Sequence, residues 1–268
     1  MAVTHFVQTV WSKKIQDKLE VHCKLVDNCW REYEGDCKRA QSVKILGVGE
    51  PTIGDYTGAD IEIEAMSDSS QILTIDQAKY FAFYVDDVDE AQSVPGLPEK
   101  YQEKAVHKLA VNRDSYIATL IKGVTANATT VEDNSEEGIK EGIDKAIVAL
   151  RERNFDEAGV IEITPAVYDK FKNNLITLST NNPEYIKKGI VGVYDGFDVV
   201  MSNNMAKDAT YAYCDVRGKK AIAFAGQIEK VEACRAEKRF ADVIKGLDVF
   251  GAKVIDEARI QVIKVPLA

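Results

Sequence analysis

Four carboxylates crowd into five positions at Asp86, Asp87, Asp89 and Glu90. Oxygen donors packed this closely are what a hard divalent cation takes as ligands. At a hinge between a strand and a helix the same run also reads as a solvated turn. His22 and Cys23 stand near Cys29 and Cys37, yet their spacing matches no zinc frame and the chain has only three histidines. Gly47-Val48-Gly49 follows a strand, but Pro51 and Thr52 occupy the places where a dinucleotide-binding turn needs a third glycine and a helix start. No GxSxG, no phosphate-loop lysine and no Cys/His pairing is present. The expectation is a protein that is not an enzyme, with no catalytic residue, no cofactor and no metal site.

The elements around the acidic hinge are long and regular. From Leu73 to Val85 every second residue (Leu73, Ile75, Gln77, Lys79, Phe81, Phe83, Val85) points one way, and β-formers dominate its apolar members, which predicts a strand. Pro95-Gly96-Leu97-Pro98 then breaks the chain, with a proline suited to the first helical turn. Apolar residues recur at Tyr101, Ala105, Leu109, Tyr116 and Leu120, flanked by Val106, Ala110, Ile117 and Ile121. This predicts a helix over 98–122, about 37 Å long at about 1.5 Å per residue.

The totals exclude several functions. With 268 residues and 46% hydrophobic composition the chain can bury a real core. Its net charge of −9 argues against phosphate-backbone binding as the main task. Five cysteines without a CxxC pair suggest reduced thiols rather than a disulfide framework. No run approaches the ~20 apolar residues of a membrane helix, so no membrane partner is expected. The start lacks a signal-peptide pattern, and synthesis in a cytoplasm follows as the expectation.

Residues 1–35 carry Trp11 and Trp30 in an otherwise polar stretch with at most a helix or two, which packs on its own body or on a neighbour. Ser42–Val48 reads as a strand. Gly49–Ser70 follows with no Lys or Arg, and with Glu50, Asp55, Asp60, Glu62, Glu64 and Asp68 among Ile53, Tyr56, Ile61, Ile63 and Met66. A connection of about twenty residues without helical periodicity is uncommon in a compact domain unless it has a task. It reads as an arm whose partner lies outside its own subunit.

Glu136–Arg151 is a helix capped by Asn134 or Ser135, and Thr164-Pro165 opens another that ends at Asn173-Asn174. Asp195-Gly196 between two apolar runs marks a hairpin. Further strands are predicted at 210–216, 220–225, 228–233, 240–244, 249–255 and 259–265. The fold class is α+β, with strands and helices separated.

The succession Gly49-Glu50-Pro51-Thr52-Ile53 with Asp55-Tyr56, then Leu73 to Phe81 and Val85-Asp86-Asp87-Val88-Asp89, resembles tailed-bacteriophage major capsid proteins of the Hong Kong-type phage capsid fold. Gly196 to Asn203, Ala221 to Ile228, and Arg239-Phe240 to Val254 look like the later segments of that family. The resemblance implies an N-terminal arm (1–35), an extended loop hairpin with flanking strands (36–90), and a peripheral domain carrying a long spine helix (91–130). An axial domain (131–224), returning peripheral strands (225–248) and axial C-terminal strands (249–268) would complete the chain.

It implies also a structural protein of the virion that self-assembles as hexamers and pentamers into an icosahedral shell around double-stranded DNA, in the cytoplasm of a bacterial host. Its partners would be other copies of itself, a separate scaffolding protein, a portal, decoration proteins, and packaged DNA held without specific binding. Some members crosslink through a lysine on the extended loop. Gly49–Ser70 has none, so a non-covalent shell is expected.

For the contact between subunits, the acidic loop at Ile53, Asp55, Tyr56, Glu62 and Glu64 is expected to dock beside the basic run Arg235, Lys238 and Arg239 of the next copy. Two alternatives remain open: an encapsulin-type shell around an enzyme cargo, and a soluble two-lobed enzyme using the acidic hinge.

Overall fold

The computed structural model describes residues 23–33, 42–48, 68–86, 97–172, 190–236 and 241–267. Eleven strands are present among them. They are β1 (Ser42–Val48), β2 (Asp68–Thr74), β3 (Gln77–Asp86), β4 (Ala128–Thr130), β5 (Gly159–Ile163), β6 (Ile190–Tyr194), β7 (Phe197–Met201), β8 (Tyr211–Gly218), β9 (Ile222–Arg235), β10 (Ala241–Val254) and β11 (Ile260–Pro266). The helices are α1 (Leu97–Gly123), α2 (Glu136–Arg151) and α3 (Pro165–Phe171).

Local chemistry sets several boundaries. The Ser135 hydroxyl accepts from the Gly138 N–H at 3.0 Å, with Glu136 and Glu137 in the first turn of α2. Thr164 caps α3 and Pro165 occupies its start. Asp195 and Gly196 both take positive φ, 48° and 84°, the two-residue turn that β6 and β7 need to pair antiparallel.

A six-stranded sheet runs in the order β4-β11-β8-β5-β7-β6, with β4 parallel to β11 and β5 parallel to β7. On one face α2 and α3 bury Ile139, Ile143, Ile147, Leu150 and Phe171 against Ile161, Ile163, Val199, Val216, Ile263 and Val265. The opposite face adds Tyr213, Ile260 and Val262 to a second core, built on Val106, Leu109, Ile117 and Ile121 of α1 with Phe224 and Phe250. That core also takes in Leu25 and Val26 of the segment 23–30, here termed the arm root. A three-stranded antiparallel sheet, β3-β10-β9, turns Phe81 and Phe83 toward this second core. β1 and β2 form a separate pair whose Val43, Ile45 and Leu73 pack on Ala223 and Ala225.

Four expectations change. The strand anticipated over 73–85 is two strands: the chain leaves β2 at Thr74 and enters the other sheet at Gln77, and the alternation survives because Leu73 and Phe81 each face a core. The pieces 240–244 and 249–255 are one strand, β10. Its middle breaks the apolar pattern because inward-facing Asp248 pairs with Arg113, and Gly246 leaves room for the Phe81 ring. The pieces 220–225 and 228–233 are likewise one strand, β9, which carries an irregularity opposite Leu247 and Asp248. In α1 the buried stripe runs through Val106, Ala110, Arg113, Asp114, Ile117 and Ile121, while Tyr101 is exposed. Two charged residues inside the stripe displaced its apparent centre in the sequence.

Candidate assembly interface

The outer face of the three-stranded sheet is open. Register places Tyr80 opposite Leu247, Ala82 opposite Lys245 and Tyr84 opposite Val243, all on the side away from α1. Tyr80 is 80% exposed and Tyr84 65%, although the same strand turns Phe81 and Phe83 to the core. Lys245 pairs with Glu232 at 3.1 Å on this face. Two large exposed aromatics on one edge strand give a surface suited to contact with another chain.

Where β9 meets β10, Arg235 and Asp242 sit opposite each other and pair at 3.1 Å, both exposed. Arg235 is thus placed at the sheet's end, already holding an internal partner. Ile53, Asp55, Tyr56, Glu62, Glu64, Lys238 and Arg239 lie outside the described residues, as do Asp87, Asp89 and Glu90. Asp86 ends β3. Among the described residues no group of three or more His, Cys, Asp or Glu is placed to hold a metal ion.

The arm root is held by buried charges. Asp114 of α1, fully buried, accepts from the main-chain N–H groups of Lys24 (3.1 Å), Leu25 (3.1 Å) and Val26 (3.3 Å) and from Asn204 Nδ2 (3.2 Å). It thereby caps the single helical turn Val26–Asn28 from a different element. Arg217 of β8 donates to the carbonyls of Asn28 (2.6 Å) and Leu25 (3.2 Å) and to Glu162 of β5 (2.9 Å). Asn28 Nδ2 completes the set by donating to Glu162 at 2.9 Å. Trp30 then extends alongside β9, giving its N–H to the Ile222 carbonyl and accepting from the Phe224 N–H, both at 2.9 Å. Trp30 is therefore joined to its own body through its main chain, whereas Trp11 lies outside the described residues.

Burial pushes the Cys29 and Cys214 thiols up to about 12 and raises Cys23 further, so these cysteines are inert packing groups. In α1, Arg113 pairs with Asp248 beneath the rings of Phe224 and Phe250, with guanidinium-to-centroid distances of 5.6 and 5.7 Å. None of Asp114, Glu162, Arg217 or the Arg113–Asp248 pair stood out in the sequence. The available signal was a charge at an inward position of an apolar strand: Glu162 within Val160–Ile163, and Asp215 and Arg217 two apart in β8.

No protein-family model matches the sequence, and no curated protein does. Solved structures do. A structure from Mycobacterium phage Che8 is 27% identical, covers 89% of this chain and 90% of its own, and superposes with a TM-score of 0.70. The capsid of the cyanophage P-SCSP1u aligns at 17% identity over 85% of this chain and 84% of its own, TM-score 0.66. The chain has the Hong Kong-type phage capsid fold. It resembles tailed-phage major capsid proteins over most of its length. A virus-like particle from Pyrococcus furiosus shares the capsid fold at 13% identity, covering 96% of this chain and 99% of its own with a TM-score of 0.58. Among the described residues of this capsid fold, no helix is long and apolar enough to cross a membrane.

Proposed function

We propose that the chain is the major shell protein of a tailed-phage head, a structural rather than enzymatic role, assembling as hexamers and pentamers into an icosahedral capsid around double-stranded DNA. The observation that carries this reading is the shared fold over about nine-tenths of both chains with a phage structure at 27% identity. In this reading α1 is the spine, the three-stranded sheet belongs to the peripheral domain and the six-stranded sheet to the axial domain. The net charge of −9 fits a container that encloses DNA without binding it specifically. Such a shell works with a separate scaffolding protein, a portal and decoration proteins, and is located in the virion after assembly in the host cytoplasm.

Contacts between subunits are non-covalent in this proposal, because Gly49–Ser70 offers no lysine amine. The acidic stretch with Asp55, Tyr56, Glu62 and Glu64 docks beside Arg235, Lys238 and Arg239 of the next copy. Arg235 must exchange its exposed partner Asp242 to do so, and a pair of that kind contributes only about 0–1 kcal/mol. Reversing Glu62 and Glu64 to lysine is expected to impair shell formation while the subunit stays folded; normal shells from that variant would refute the docking. Ladders of isopeptide-linked subunits in mass spectra of mature particles would refute the non-covalent shell.

A second reading, a shell around protein cargo, draws on the likeness to the Pyrococcus virus-like particle. Particle contents separate the two. Nuclease-protected double-stranded DNA supports the phage head, and a stoichiometric protein cargo supports the alternative.

A further inference from the structure

The arm root closes over more buried carboxyl groups than there are cations to meet them. Asp114, Glu162 and Asp215 are fully buried, and so is Arg217. The nearby Arg113 is committed to Asp248 of β10, and the Lys24 ammonium reaches the Met201 carbonyl at 3.3 Å. One guanidinium thus serves Glu162 and Asp215 together. It gives its hydrogen bonds to Glu162 and the arm-root carbonyls, while its Nε lies 3.2 Å from Asp215 and neither Asp215 oxygen has a hydrogen-bond donor. A buried carboxylate in that position is far costlier than a buried carboxylic acid.

We propose that closure of the arm root, residues 23–30, over Asp114 and Asp215 takes up protons, so that this segment is held most firmly in mildly acidic solution and loosens as the pH rises.

The surrounding groups support this sign. Asp114 faces Cys23, Lys24 and Asp27 of the arm root, Asn204 from the turn after β7, and Arg113 on its own helix with Asp248 behind it. Burial pushes Asp114 up to about 6 against the lowering effect of its four donors. Asp215 faces Glu162 and Arg217, with Cys29 beside the guanidinium. Burial first, and then the Glu162 charge, raises it well above the ordinary carboxyl range. Lifting the arm root uncovers Asp114 and releases the Arg217 guanidinium beside Asp215 from the Leu25 and Asn28 carbonyls, so that both carboxyl groups return toward their usual acidity. A group whose affinity for protons is higher in the closed state favours closure below its open-state pKa and loses that effect as the pH rises through its closed-state pKa. For Asp114 the window therefore runs from 3.8 to about 6, and Asp215 extends it upward.

Residues 23–30 touch α1, β8 and β9 together, so their loosening frees the junction between the two sheets.

The test is amide hydrogen exchange of the full-length protein from pH 4.5 to 7.5, with each rate divided by its intrinsic rate. The amides of Lys24, Leu25, Val26 and Trp30 are compared with those of α2. Protection of the arm root relative to α2 is expected to fall by tenfold or more, with Asp114 alone able to supply roughly twentyfold to thirtyfold between these two pH values. The double variant Asp114→Asn, Asp215→Asn is expected to flatten the profile. A wild-type profile that is level or rises with pH overturns the proposal, whether or not the variant folds. A folded double variant that keeps the wild-type fall overturns it too.

Discussion

Replacing Arg217 with methionine tests how the arm root is attached. The guanidinium is fully buried and supplies hydrogen bonds to Glu162 and to two main-chain carbonyls, Leu25 and Asn28. Methionine fills much of the volume but meets none of these acceptors. Breaking a buried ion pair from one side costs about 3–5 kcal/mol, because the remaining charge is left without compensation. Each stranded carbonyl adds about 1–3 kcal/mol unless water reaches it. The sum, about 5 kcal/mol or more, is comparable with the whole stability of an ordinary domain. The chain can escape most of it by releasing residues 23–30 and hydrating Glu162. The expected phenotype is therefore a folded six-stranded sheet with an unprotected arm root, together with a large loss in denaturant stability.

Adding Glu162→Met removes the stranded charge, and the double variant is expected to regain several kcal/mol relative to Arg217→Met alone. Denaturant titration of the four members of the cycle, with hydrogen exchange at residues 24–30, reads both effects. A single-variant loss under about 1 kcal/mol, or additive losses in the double variant, would refute the reasoning.

Valine at Gly246 would drive its side chain into the Phe81 ring and is expected to cost about 1–3 kcal/mol by denaturant titration, most of it recovered when Phe81 is shortened to leucine. Alanine at Ser135 removes the cap of α2 and is expected to cost about 1 kcal/mol, whereas aspartate there is expected to be near neutral. Alanine at Gly196 forces a Cβ onto φ of 84° and is expected to cost about 1 kcal/mol without altering particle formation, read by thermal unfolding and microscopy together.

Features governed by neighbouring residues were legible in the sequence. Ser135 as a cap, Pro165 at a helix start and Asp195-Gly196 as a tight turn each act within a few positions, and each is where the spacing put it. The extent of α1 was equally plain, because a 27-residue helix is bounded by a Pro/Gly break on one side. Tertiary pairing hid the rest. The alternation from Leu73 to Val85 could not reveal a change of sheet at Ile75-Asp76, since both sheets bury the same parity of residues. The unity of β10 was masked by Gly246 and Asp248, whose types are set by Phe81 and Arg113 far away in the sequence. The arm-root junction was the least visible part: Asp114, Glu162 and Arg217 look like surface charges until the fold brings 23–30 over them.

The central claim, that this chain builds a shell, is tested most directly by negative-stain microscopy with size exclusion on the protein expressed alone and together with a scaffolding protein. Closed particles or capsomer-sized rings are the predicted result. A subunit that stays a discrete monomer or dimer under both conditions would contradict it.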